Sequence, residues 1–158
     1  MQKLLLMFLI LFIAGCAKSE KKSAETAGAS DKYDAELAKS LGADQYGMHQ
    51  YVIAFLKTGP NHDQDPVAAA RLQNAHLANI RRMAKKGKLV LAGPFMDDGD
   101  LRGIYIFNVP TVEEARKLTE TDPAIKAGRL TLELHPWYGS AALNQVNSIH
   151  NKLSKVPR

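Results

Sequence analysis

Cysteine and tryptophan each occur once among the 158 residues, and no apolar run is long enough to cross a bilayer. A single cysteine excludes a disulfide framework within the chain, and a chain of this length builds one modest domain. No histidine pair stands at HxH or HxxxH spacing and no CxxC occurs, so a metal site would have to be gathered from separate segments, and none is assigned. Aromatic residues are only 7% and do not interleave with the basic pairs Arg81-Arg82 and Lys85-Lys86, which removes the usual composition of a nucleic-acid groove. Those pairs read as a solvated helix face, and no nucleic acid is expected as a partner.

What is present begins with the run LLLMFLILFIA at positions 4–14. Its eleven residues span about 16 Å as a helix, roughly half of a hydrocarbon core, too short for a stable transmembrane segment. Lys3, this run and the small pair Ala14-Gly15 have the order of a signal peptide over residues 1–15. FIAGC at 12–16 resembles a bacterial lipoprotein signal. The resemblance implies cleavage before Cys16, diacylglycerol on its sulfur and acylation of the new amino terminus, hence a membrane anchor. The expected address is the cell envelope; Ala17 beside the cysteine leans toward the outer membrane, facing the periplasm. An ordinary signal peptide and an uncleaved anchor with a free thiol remain the alternatives.

Residues 16–44 read as the lipidated cysteine and a tether, since AKSEKKSAETAGASD is small, charged and without apolar periodicity. DKYDAELAKSLG at 31–42 can form a short helix on Tyr33, Leu37 and Leu41, given a domain to pack on. The expected domain occupies residues 45–139. The tail at 140–158 places Leu143, Val146, Ile149 and Leu153 at helical spacing, for packing on its own dimer or against a partner or membrane surface.

Within the domain, HQYVIAFLK at 49–57 alternates as a strand. A helix over 66–86 follows, with Asp65 as cap and Pro66 at its first position. Strands are predicted at 88–93, 102–109 and 129–137, and a second helix runs from Thr111 to Thr121 with Thr111 and Glu114 spaced as a capping box. DDGD at 97–100 reads as a hairpin turn, lacking the ligand pattern of a calcium loop. The order β-α-β-β-α-β predicts an α+β, ferredoxin-like fold with two helices on one face of a four-stranded antiparallel sheet. Both parities of strands 49–57 and 102–109 are apolar, so the helix-free face also needs cover, and a homodimer packing sheet against sheet supplies it.

Three segments carry a specific resemblance: LQNAHLANIRRMAKKGKLVLAGPF at 72–95, GDLRGIYIFNV at 99–109 and ETDPAIKAGRLTLELHPWYG at 120–139. In this order they resemble the YCII-related family of the dimeric α+β barrel superfamily. The resemblance implies a polar pair at His76 and Asp122, in a superfamily that includes isomerases, dehalogenating lyases and monooxygenases. An imidazole can take and return a proton while a carboxylate fixes its tautomer. His76 also lies on the apolar stripe of Leu72 and Ile80, where a core histidine bonded to backbone is the other reading. Asp122-Pro123 equally starts a short helix, a role compatible with catalysis.

Arg129 can hold an anionic group in a fork or form a surface ion pair, and Gly93-Pro94 either borders the pocket or simply turns the chain. His49 completes the candidate substrate contacts. His49, His76 and His135 sit on separate elements and would form a metal site only if folding brought them together; none is assigned, His76 alone does not define a haem site, and no cofactor is expected. Two functions follow: a small-molecule lyase or isomerase using His76 and Asp122 for proton transfer, or a non-catalytic periplasmic ligand-binding or structural dimer.

Overall fold

A computed structural model describes residues 32–156. The chain divides into a unit of residues 1–33 and a second of residues 34–158, and the architecture given is that of the second. The expected signal peptide, Cys16 and most of the expected tether lie outside the described residues.

Alternating side chains give β1 (Met48–Thr58), which buries Val52, Ala54 and Leu56 on one face and Tyr51 on the other. Asp65 caps α2 (Pro66–Lys85): its carboxylate accepts from the N–H groups of Val67 and Ala68, while Pro66 occupies a position that needs no donor. β2 (Leu89–Pro94) and β3 (Leu101–Phe107) form a hairpin around the DDGD turn. Thr111 then caps α3 (Val112–Thr119), its hydroxyl accepting from the N–H of Glu114 at 3.1 Å. Asp122 and Pro123 open the four-residue α4 (Pro123–Lys126), as the Asp-Pro signal predicts. β4 (Leu130–Ser140) continues into a 3₁₀ turn at Ala141–Gln145 and α5 (Val146–Leu153). Ahead of β1, Asp34 caps α1 (Ala35–Ser40).

The four strands pair antiparallel in the order β2-β3-β1-β4, the arrangement of a ferredoxin-like α+β fold. One face holds the main core, in which Val52, Ala54, Leu56, Leu89, Tyr105 and Phe107 meet Met83 of α2 and Ala115 of α3, flanked by Leu130, Leu132 and Leu134. β4 runs three residues beyond its expected end, through Pro136, which is tolerated because β4 is an edge strand. β3 stops at Phe107 rather than 109; the next residue, Asn108, still donates its backbone N–H to Lys88 O at 3.0 Å, and its side-chain Oδ1 meets His49 Nε2 at 2.9 Å.

On the opposite face, Tyr51, Val90 and Ile106 are buried with Ile53, Leu91 and Leu143, the last from the 3₁₀ turn. The tail therefore does not form one apolar stripe: Leu143 packs on the sheet, whereas Ile149 and Leu153 are exposed. Phe55 and Ile53 remain half-buried and Trp137 exposed, so part of this face is open to solvent. α1 buries none of its residues; Tyr33 and Leu37 are exposed, and polar bonds hold the following loop, where Asn144 Nδ2 donates to Leu41 O at 2.8 Å. Among the described residues no helix is long and apolar enough to cross a membrane.

Candidate functional site

α2 brings His76 across the sheet, and the turn after α3 brings Asp122 beneath it. The His76 Nδ1 and Asp122 Oδ2 atoms lie 2.8 Å apart, joining residues 46 positions distant in sequence. Asp122 is fully buried and His76 nearly so. The other carboxylate oxygen accepts from the N–H of Ala124 at 2.9 Å, so helix capping and histidine binding are done by different oxygens of one side chain. Asn79, one helical turn after His76, donates to Oδ2 at 3.3 Å. Its carbonyl oxygen accepts from the Thr121 hydroxyl at 3.0 Å and from Arg82 Nη2 at 2.5 Å, which closes a polar network behind the pair.

Burial alone would raise the Asp122 pKa, but the hydrogen bond and charge of His76, with the donors of Ala124 and Asn79, outweigh it and hold the carboxyl below its ordinary range. An ionised Asp122 only accepts, so His76 donates from Nδ1, and a neutral imidazole held this way has its lone pair on Nε2. The Tyr105 hydroxyl stands 3.2 Å from that nitrogen. Burial, reinforced by the Asp122 carboxylate, pushes the Tyr105 phenol far above its usual range, so it stays protonated. Tyr105, His76 and Asp122 thus form a continuous chain of hydrogen bonds.

His76 and Tyr105 line a cavity of about 1270 Å³ between α2, the β1 and β3 strands, the β2 edge and α5. Arg129, Gly93 and Pro94 also line it, with Thr58 at the end of β1 and His62 in the loop that follows. Arg129 Nη1 donates to Gln64 Oε1 at 2.8 Å, not to a carboxylate. Asp122 stands behind His76 and is not part of the cavity wall. His49 does not join the group: its ring bonds Gly42 O and Asn108 Oδ1, both at 2.9 Å, and it does not line this cavity. His135 is on the open sheet face, bonded to Glu133 at 2.9 Å. Among the described residues no group of three or more His, Cys, Asp or Glu is placed to hold a metal ion.

Sequence reasoning missed Tyr105, Asn79 and the cationic side of the cavity. Asn79 carried a signal, its three-residue spacing from His76; Tyr105 carried only its parity in β3, shared with Phe107. Arg81, Arg82 and Lys85 are exposed as expected of a solvated face, yet all three line the cavity, together with Arg102 and Arg129.

The YCII-related domain family matches residues 48–137, more than half of the chain, and the chain belongs to that family. That segment contains the sheet apart from its last residues, with α2, α3, α4 and the Tyr105, His76 and Asp122 chain. Among solved structures, the chain is similar to 5-chloro-2-hydroxyhydroquinone dehydrochlorinase (TftG) from Burkholderia phenoliruptrix AC1100, in complex with 2,5-dihydroxybenzoquinone. The identity is 25%, covering 56% of this chain and 93% of that one, with a TM-score of 0.40. No curated protein matches the chain.

Proposed function

We propose that the domain is a small-molecule lyase or isomerase in which His76 transfers a proton and Asp122 orients it. The observation that carries this reading is the 2.8 Å contact between a cavity-lining histidine and a fully buried carboxylate. With Nδ1–H held by Asp122, the Nε2 lone pair removes a proton from an acidic position of the substrate. The electron pair left on the substrate either expels a leaving group, as in a lyase, or is reprotonated by the same imidazolium at another atom, as in an isomerase. The Asp122 charge stabilises the imidazolium between these steps. Tyr105 occupies Nε2 in the resting site, so its hydroxyl must turn aside onto the substrate when one binds. Arg129, at the Gly93-Pro94 end, has further N–H groups beyond the one given to Gln64 and is assigned to substrate binding.

The test is hydrogen–deuterium exchange or elimination across a set of small carboxylic and phenolic compounds in D₂O, followed by mass spectrometry. A compound turned over by the wild type should react about 10²–10⁴-fold more slowly with His76→Ala; equal rates would remove His76 from the chemistry. A non-catalytic ligand-binding or structural dimer is the second reading, favoured by the engagement of both His76 ring nitrogens in the resting site.

We assign residues 1–15 as a signal peptide and Cys16 as the lipid acceptor, placing the domain in the envelope on an outer-membrane anchor facing the periplasm. The order of residues 3–16 supports this assignment. The mass of the mature protein tests it: cleavage before Cys16 with added acyl chains is expected, and an unmodified Cys16 thiol would overturn it. We also assign a homodimer through the open sheet face, supported by the half-buried Ile53 and Phe55 there.

A further inference from the structure

The proton-transfer reading leaves one end of the cavity without a task. Beyond His76, toward the C-terminal end of α2, the wall carries Arg81 and Lys85, with Asn147 and Asn151 contributed by α5. At 1.5 Å and 100° per residue, Arg81 stands about 7.5 Å along the helix axis from His76 and about 140° around it, and Lys85 about 13.5 Å along and about 180° around. The cavity that reaches His76 thus extends around the helix to two cations of the same element.

Neither α2 nor α5 contains an aspartate or glutamate, and no acidic residue lines the cavity. Arg81 and Lys85 form no ion pair among the described residues. The helix dipole favours cations in the last turn of α2 and accounts for Lys85 by itself. It does not account for Arg81 one turn earlier, nor for Arg102 and Arg129 reaching the same cavity from other elements. Arg82 differs, because its guanidinium is spent on Asn79 and Thr121. Like charges gathered around one cavity without a counter-charge repel, and a bound anion relieves that repulsion.

The facing wall is α5, which lies beyond the family-matched residues 48–137. Asn147 Nδ2 donates to Leu89 O at 2.7 Å and so anchors α5 on the β2 edge. The Asn151 side-chain amide has no hydrogen-bond partner among the described residues.

We propose that Arg81, Lys85 and the Asn151 amide form an oxyanion subsite that holds a carboxylate or phosphate group of the substrate while its reacting atom lies at His76. The placement relative to His76 rests on the proton-transfer reading; anion binding itself does not. Part of the specificity then resides in α5, outside the family domain.

The experiment is NMR titration of the full-length, ¹⁵N-labelled protein with sodium phosphate and, separately, sodium benzoate, against sodium chloride at matched ionic strength. Saturable shifts of the Arg81 Nε–Hε and Asn151 amide resonances are expected with at least one of the two oxyanions. Saturation by phosphate alone identifies a phosphate ester as the substrate class, and saturation by benzoate alone a carboxylate. The affinity should fall at least tenfold in R81Q/K85Q. It should be unchanged in R71Q, an exposed residue of α2 away from the cavity. Shifts no different from chloride, undiminished affinity in R81Q/K85Q, or an equal loss in R71Q would overturn the subsite. A protein that binds the anion through Arg81 and Lys85 yet shows no His76-dependent exchange would retain the subsite and remove the proton-transfer reading alone.

Discussion

Asp122 accepts a hydrogen bond from His76 at 2.8 Å while having no contact with solvent, so the only groups that can satisfy its charge are protein donors. That dependence makes the pair a determinant of stability as well as of site geometry. Asp122→Ala removes a buried carboxylate, the α4 cap and the partner of a nearly buried ring together. A loss of about 3–5 kcal/mol is expected in urea denaturation. A loss below about 1 kcal/mol would mean that the pair is not held in the folded protein as described.

The pH dependence follows from the same carboxylate. Its folded pKa lies below the unfolded one, near 3.8, because the His76, Ala124 and Asn79 donors outweigh burial. The unfolded chain therefore binds more protons there in acid. The stabilisation is fully present above the unfolded value and is lost as pH falls through the folded one. Denaturation curves of the wild type from pH 7 to pH 2 should show this loss, and Asp122→Asn should flatten it. An identical acid slope in the variant would assign the effect to other groups.

Tyr105→Phe removes one hydroxyl and keeps the ring that packs on Phe107. The buried Nε2 of His76 then loses its partner, at a cost of about 1–3 kcal/mol, unless water from the cavity replaces the hydroxyl. A shift of the His76 Nε2 resonance should accompany the change. An unmoved resonance would show that the hydroxyl does not bond the ring in solution.

Gly128 precedes Arg129 with φ at +69°, and a Cβ built there would stand 2.6 Å from Asn61 Nδ2. Gly128→Ala should cost about 1–2 kcal/mol for the left-handed backbone alone. It should also disturb the hydrogen bond from Asn61 Nδ2 to Ala127 O that holds the loop ahead of α2 against the turn. Thermal unfolding checks the stability, and faster exchange of the Asn61 and Gly59 amides the loop.

If the open face is the dimer interface, Phe55→Lys should yield a monomer that retains its helical circular dichroism. Sedimentation equilibrium decides between a wild type of twice the chain mass and one already monomeric. A monomeric wild type would require another cover for Ile53, Phe55 and Trp137.

Much of the fold was legible because its signals are local. Period-two alternation marked β1, and Asp65, Thr111 and Asp122 announced their helices through side chains that bond the next turn. Endpoints moved by two or three residues, as at the ends of β3 and β4, because pairing with a neighbouring strand and not local composition sets them. His76 and Asp122 could be named from a family resemblance, and Arg129, Gly93 and Pro94 beside the cavity were candidates as well, but Tyr105 and Asn79, which bond the pair, were not. Tyr105 reaches His76 from a position 29 residues away, and its direction depends on the sheet register. Arg81 and Lys85 have the composition of a solvated surface, and only the placement of α5 and the β2 edge turns that surface into the wall of a cavity.

By itself, the sequence determined the order of elements, their caps and the apolar parity of each strand, since backbone hydrogen bonding and side-chain periodicity act over a few residues. The tertiary structure decided which polar groups meet. Strand register and the crossing of α2 over the sheet place Tyr105, His76 and Asp122 in line, leave His49 outside, and gather unpaired cations around one cavity. Those outcomes depend on distances between segments far apart in the chain, which composition and spacing do not encode.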